Sequence, residues 1–383
     1  MNISKSVTDL KQLIECSVFE LPYQRNPEMS FYDFIVNKLD IFVDHLNQQH
    51  FDDIIRDISW TEALGDSQLV RIKSFAEGIK RTISLYLEGK VLQSTKEFFG
   101  ALDRIYFHGD DLATSKVTKI GIGGKFYRIR RVEQHTLTRA EMFHIPFQKR
   151  HLVSTQRYSI PGLPTLYLGD TIFICWEELN RPKIRDFCAI KLENNISLSV
   201  IEIQRKEDLL ASIDSVADES QKLTALLRYI VTFPLIFVCS IKTLYPNSPF
   251  RAEYIVPQML LQYIAERNID GIKYFSTKLD YKKLKSFSTY NYIFPPKQHK
   301  QNGFCDDLIQ SFSTTQPTSL EIEEIIYSKK HSPGFMGSGA QSSDKRQLEI
   351  INGENTFYQN TIFSRLELAL QLLKVSPIDN KET

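Results

Sequence analysis

The residue pattern predicts an α+β chain, with an all-helical N-terminal region ahead of a core of short buried strands and helices. Three observations carry this. Up to about residue 115, apolar residues recur at three- and four-residue spacing with almost no proline, as in FYDFIVNKLDIFVDHL (31–46) and RIKSFAEGIKRTISLYLEGKVLQSTKEFF (71–99). From Ile120 onward the texture changes to glycine turns and short apolar runs. The overall composition, 42% hydrophobic and 24% charged, is that of an ordinary globular protein.

Taken in order, GIGGKFYRIRRV (121–132) reads as a glycine turn followed by a strand. Phe126, Arg128 and Arg130 lie on one face of it, Tyr127 and Ile129 on the other. TLYLG (165–169) is a short buried strand, and DTIFICWEEL (170–179) a helix. Asp170 or Thr171 caps that helix, and Asn180 and Pro182 end it. SLSVIEI (197–203) is a strand. A helix over 219–231 leads into LIFVCSI (235–241), read as a buried strand. Pro257 suits the first turn of the next helix, and IKYFS (272–276) and YNYIF (290–294) return as strands. SKKHSPGFMGSGAQSSDK (328–345) has the composition of a flexible linker, and TIFSRLELALQLLKV (361–375) is an amphipathic helix suited to docking on the body or on a partner. The expected domains are a helical one over 1–115, a mixed one over 116–300, and a C-terminal extension over 301–383.

Several function classes are disfavoured. The net charge of +1 argues against a broad nucleic-acid-binding face. The five cysteines are scattered without a C-x-x-C pair, which argues against a disulfide framework and a zinc site. The eight histidines show no ligand spacing, so no metal is expected. GIGG precedes a strand, the wrong context for a phosphate cradle. The N-terminus lacks the apolar core of a signal peptide. The apolar run near Phe233–Ile241 is about half the ~20 residues that span a bilayer, so a soluble, cytoplasmic protein without membrane contact is expected.

What remains is a set of polar residues at the edges of apolar elements: Arg128, Arg157, Tyr158, Tyr167, Glu177 and Glu178. Buried charge is costly unless paired, and the physics leaves two readings equally open. One is a structural Arg–Glu pair. The other is an anionic-ligand site, with guanidinium groups for phosphate, a carboxylate for the reacting centre and tyrosines for stacking.

FYRIR (126–130), QRY (156–158), LYLG with a glutamate eleven residues beyond its Tyr, and GIKYFS (271–276) after the VPQMLLQYI helix together resemble the RES domain family. The resemblance covers about half the chain, residues 120–295. It departs at Thr155-Gln156-Arg157-Tyr158-Ser159, where many members have Gly-Gly-Arg-Trp-Asn. The larger RES proteins with an added helical N-terminal domain are the nearer likeness. The resemblance implies an ADP-ribosyltransferase-like core, with a split sheet around an NAD⁺ cleft. It also implies an NAD⁺-consuming enzyme of toxin or defence type that cleaves the nicotinamide–ribose bond by phosphorolysis, hydrolysis or ADP-ribosyl transfer. Periodicity does not choose between Glu177 and Glu178; the family spacing selects Glu178. By the same carry-over, Glu178 and Arg128 are the catalytic candidates, and Arg157, Tyr167, Tyr158 and Ser276 bind the dinucleotide. Arg130 is read as solvated or supporting. NAD is then a substrate, with inorganic phosphate a candidate acceptor and an antitoxin or other regulatory protein a candidate partner.

The competing expectation is a catalytically inactive nucleotide-sensing or protein-binding module. A ribonuclease reading of Arg139-Ala-Glu-Met-Phe-His144, from its Arg-x4-His spacing, ranks last because the motif falls outside the helical region; Arg104-Ile-Tyr-Phe-His108 is one residue too short.

Overall fold

The computed structural model describes residues 3–56, 67–106, 117–132, 137–324 and 344–378. The linker expected at 328–345 lies, up to residue 343, outside the described residues, as does His108. The helices are α1 (Ile3–Glu15), α2 (Phe31–Gln48), α3 (Phe51–Ile55), α4 (Gln68–Leu87), α5 (Val91–Tyr106), α6 (Arg139–Met142), α7 (Ile172–Glu178), α8 (Lys206–Asp214), α9 (Glu219–Cys239), α10 (Ile255–Glu266), α11 (Asp306–Ser311) and α12 (Ile362–Leu372). The strands are β1 (Val117–Ile120), β2 (Lys125–Arg131), β3 (Leu166–Gly169), β4 (Phe187–Asn194), β5 (Leu198–Ile203), β6 (Gly271–Phe275), β7 (Leu284–Lys285), β8 (Tyr290–Phe294), β9 (Phe312–Thr314), β10 (Gln347–Ile351), β11 (Glu354–Phe357) and β12 (Ser376–Pro377). The chain is thus a mixed α+β protein.

It divides into two compact units. One comprises Met1–Thr118, Gln156–Ser159 and Ile201–Arg267; the other comprises Lys119–Thr155, Ile160–Val200 and Asn268–Thr383. The first unit is helical and draws on the middle of the chain as well as its N-terminal region. Ser30 and Ser67 cap α2 and α4 by accepting from Asp33 N and Val70 N. Helix α9 is its core: Phe233 packs against Phe19 and Phe42 with ring centroids 4.6 and 4.9 Å apart.

Helix α9 corrects one expectation. Residues 235–239 of the predicted strand continue the helix, through Pro234. Every residue from Tyr229 to Cys239 is buried, so the run carries no periodicity to separate helix from strand. A helix satisfies its own backbone there. A strand would need pairing partners, and among the described residues only an isolated Tyr23–Ile241 bridge exists. At 21 residues α9 is long and apolar enough to cross a membrane, yet 78% of its most apolar window is buried inside the protein. That is the signature of a core helix.

The second unit is built on a sheet of strand order β1-β5-β6-β8-β3-β2-β4-β9-β12, with a small β11-β10-β7 sheet beside it. The chain crosses from one unit to the other within β1 and within β5. One face of the sheet buries Phe126, Leu166, Leu168, Ile190 and Leu192 with Phe143 and Phe304. The other buries Tyr127, Ile129 and Ala189 under α7 and α12, through Phe173, Phe363 and Leu366. The alternation expected for residues 126–130 is therefore observed for its apolar members.

Candidate active site

The sheet is interrupted where the candidate residues lie. Strand β2 pairs with β4 along its whole length, from Lys125–Glu193 to Arg131–Phe187. With β3 it forms a single pair, Tyr127–Gly169. Beyond that pair the ladder stops, and the Tyr167 carbonyl accepts from Arg128 Nη1 at 2.7 Å. Arg128 leaves β2 on the Phe126 face, whereas Tyr167 pairs with Ile293 on the α7 face. The break lets a guanidinium from one face reach the backbone of the neighbouring strand.

Arg128 is also electrostatically unsatisfied. Its Nε is buried without a hydrogen-bond partner. Burial, reinforced by Arg130, pulls its basicity down to about 9. Arg130, two residues along the same face, is likewise depressed by burial, with Glu141 opposing the effect. Among the described residues neither arginine forms an ion pair. Arg130 is therefore half-buried rather than solvated. Nearby His144 is a structural histidine: Nδ1 donates to Ile145 O at 2.8 Å and Nε2 accepts from Cys305 N at 2.9 Å. Burial pushes it down to about 4, and both arginines act in the same direction. Its ring nitrogens are thus both taken up by backbone, which leaves the Arg-x4-His motif no free acid or base.

Helix α7 carries both candidate carboxylates, Glu177 and Glu178. Thr171 caps it by accepting from Ile174 N at 3.2 Å, while Asp170 instead accepts from Thr289 Oγ1 and Tyr290 N. Gly169 permits the tight fold-back of the helix onto β3, because a Cβ there would stand 2.4 Å from Ile174 Cγ2. Asn180 and Arg181, with φ of 58° and 52°, end it. Glu177 is buried and paired with Arg181 Nε at 3.0 Å. Glu178 is 28% exposed, and its two oxygens are held by different donors: Oε1 accepts from Asn291 Nδ2 at 3.0 Å, and Oε2 lies 3.2 Å from Lys278 Nζ. Lys278 Nζ also donates to the Glu178 carbonyl at 2.8 Å. Ser276 is fully buried, and its hydroxyl closes a local turn by accepting from Lys278 N at 3.2 Å.

Arg157 and Tyr158 belong to the helical unit. The Arg157 guanidinium donates to the carbonyls of Ile241, Cys239 and Glu253 at 2.8, 3.3 and 3.4 Å, and to Thr243 Oγ1 at 3.3 Å. It acts there as a clasp on the chain leaving α9. Tyr158 is buried beside Cys239, whose thiol is pushed up to about 12 by burial against the Tyr158 hydrogen bond. Arg128, Tyr167, Glu178 and Ser276 thus fall in the sheet unit, and Arg157 and Tyr158 in the other.

Sequence reasoning missed Asn291 and Lys278 and undervalued Arg130. Asn291 carried a signal, being an amide within the otherwise apolar run YNYIF. Lys278 carried none, because its partner lies 100 residues away.

Over 314 residues, the chain is 30% identical to a protein of Bacillus subtilis (strain 168) named "Putative toxin YopC", covering 77% of this chain and 68% of that protein. The chain belongs to this toxin's family. No family model matches it. No solved structure matches it either. Membership in the toxin family supports a toxin-like role.

Proposed function

We propose that the protein is an NAD⁺-consuming toxin of RES type, with an ADP-ribosyltransferase-like split-sheet core, acting at the break between β2 and β3. The observation that carries this reading is the Arg128 guanidinium in that break, buried at Nε and without a carboxylate partner among the described residues. An unneutralised buried guanidinium attracts an anion, and Arg130 on the same face adds a second fork suited to a pyrophosphate. Glu178, oriented by Asn291 and Lys278 and partly open to solvent, is the carboxylate for the reacting ribose. When the C–N bond to nicotinamide breaks, its electron pair leaves with the nicotinamide nitrogen. Positive charge then develops at the ribose anomeric carbon, which a fixed carboxylate stabilises. Water or inorganic phosphate adds at that carbon and loses a proton. Tyr167 stands at the edge of the break as the candidate stacking residue. Arg157, Tyr158 and Ser276 are left out of the ligand set, because their polar groups serve the helical unit or a local turn. No step calls for a metal. An antitoxin or other regulatory protein is the partner that fits a toxin-family member.

A second reading is favoured by the Glu178–Lys278 ion pair, which offsets the charge the reaction needs. On this reading the break binds a nucleotide without turnover, as a sensing module. Chromatography of NAD⁺ incubated with the purified chain separates the two. Released nicotinamide supports the enzyme; binding with intact NAD⁺ supports the sensor; neither binding nor release contradicts both.

A further inference from the structure

Helix α12 touches both elements that carry the proposed site. Glu367 Oε1 accepts from the backbone amide of Ile172, the first residue of α7, at 2.7 Å, and from the Tyr358 hydroxyl. One turn later, Gln371 Nε2 donates to the hydroxyl of Tyr127, the neighbour of Arg128 on β2, at 3.2 Å. One turn before Glu367, Phe363 packs on Trp176 and Phe173 of α7, with centroids 5.1 and 5.6 Å apart. Glu367 is 7% exposed and sits where α7 leaves its first amides without intrahelical partners. Thr171 satisfies Ile174 N and Glu367 satisfies Ile172 N. A seven-residue helix has little stability of its own, so these two caps and the aromatic packing decide how firmly it is held.

The geometry points to α12 as a positioning clamp for the site, with Glu367 fixing the helix that ends in Glu178 and Gln371 fixing the strand that carries Arg128. Glu367 and Gln371 are positioning residues, acting through α7 and β2. The effect on turnover rests on the NAD⁺-consuming reading; the clamp itself does not.

The test is amide hydrogen exchange of the full chain, without ligand, for wild type, Glu367→Ala, Glu367→Gln and Gln371→Ala. In Glu367→Ala, exchange over 172–178 rises about tenfold or more while that of α9 is unchanged. Glu367→Gln stays near wild type, because its amide oxygen still accepts from Ile172 N. Gln371→Ala speeds exchange over 125–131 instead. If Glu367→Ala fails to fold, Tyr358→Phe removes only one of the two donors to the same oxygen and gives a smaller rise at 172–178. Unchanged exchange over 172–178 in the folded Glu367 and Tyr358 variants overturns the clamp.

Where wild type turns over NAD⁺, Glu367→Ala lowers kcat about tenfold with KM within about threefold, and Glu367→Gln restores it. An unaltered kcat overturns the positioning role. If wild type leaves NAD⁺ intact, the exchange data still decide the clamp, and only the enzymatic reading is lost.

Discussion

Arg128 donates from Nη1 to the carbonyl of Tyr167 across strands that share only the Tyr127–Gly169 pair. A guanidinium has five N–H donors, and this contact uses one of them. With Nε buried and unpartnered and Arg130 beside it, the break is left with two arginines that form no ion pair among the described residues.

Anion binding follows. Calorimetry with inorganic pyrophosphate is expected to show binding that weakens as salt rises. Arg128→Lys keeps the charge but loses the fork and Nε, and weakens pyrophosphate about tenfold or more. Arg130→Gln weakens it by a similar factor. Affinities equal to wild type in both variants would remove the anion site.

Arg157 is expected to behave differently. Its guanidinium serves three carbonyls and a hydroxyl within the helical unit. Arg157→Ala strands these acceptors and costs about 2–4 kcal/mol, read as a lower midpoint in urea. Pyrophosphate affinity of the folded fraction stays at the wild-type value. A selective loss of anion binding with unchanged stability would return Arg157 to the ligand set.

The contrast between these two arginines shows what the sequence could disclose. Strand alternation placed Arg128 on the Phe126 face, because the neighbouring residues carry a period of two. It could not say whether a buried arginine meets a ligand or a set of carbonyls, since both demand the same side chain. Thr171 was legible as one of two caps for α7; the register that gives Asp170 to Thr289 decided between them. Residues 235–239 were not legible, because an all-apolar run has no period. Asn291 meets Glu178 across 113 positions, and Glu367 meets Ile172 across 195, distances that local pattern does not span. Beyond residue 300 the short strands β9 and β12 exist by pairing with each other and, for β9, with β4, and carry little local signal.

Stability should fall as pH rises toward neutrality. Burial raises Glu367 from 4.5 to about 7, against bonds from Tyr358 and Ile172 N and the charge of Arg346, with Asp170 adding to the rise. Burial likewise raises Asp170 from 3.8 to about 6, opposed by Thr289, Tyr290 N, Lys273 and Arg346. Between the unfolded and folded values, the folded state keeps a proton that the unfolded state has released. Stability is therefore highest below the unfolded values and is lost as pH rises through the folded ones. Asp103, Asp270 and Asp344, depressed below 3.8, act with the opposite slope but at lower pH, and His144, depressed from 6.5 to about 4 by burial, offsets part of the decline between those values without reversing it. Urea midpoints from pH 4.5 to 7.5 are expected to decline. Glu367→Gln, fixed in the neutral form, flattens the part of the decline nearest pH 7. A rise over that interval would contradict the assignment.

The most direct measurement is NAD⁺ consumption by the purified wild-type chain and Glu178→Gln, each with and without inorganic phosphate, with NAD⁺ binding measured on the same samples. The account predicts nicotinamide release by wild type. In Glu178→Gln, release falls about a hundredfold or more while binding stays within a fewfold. Dependence of release on phosphate identifies phosphorolysis, and independence identifies hydrolysis. Folded wild-type protein that neither binds nor cleaves NAD⁺, or a Glu178→Gln variant that cleaves it at the wild-type rate, would contradict the central claim.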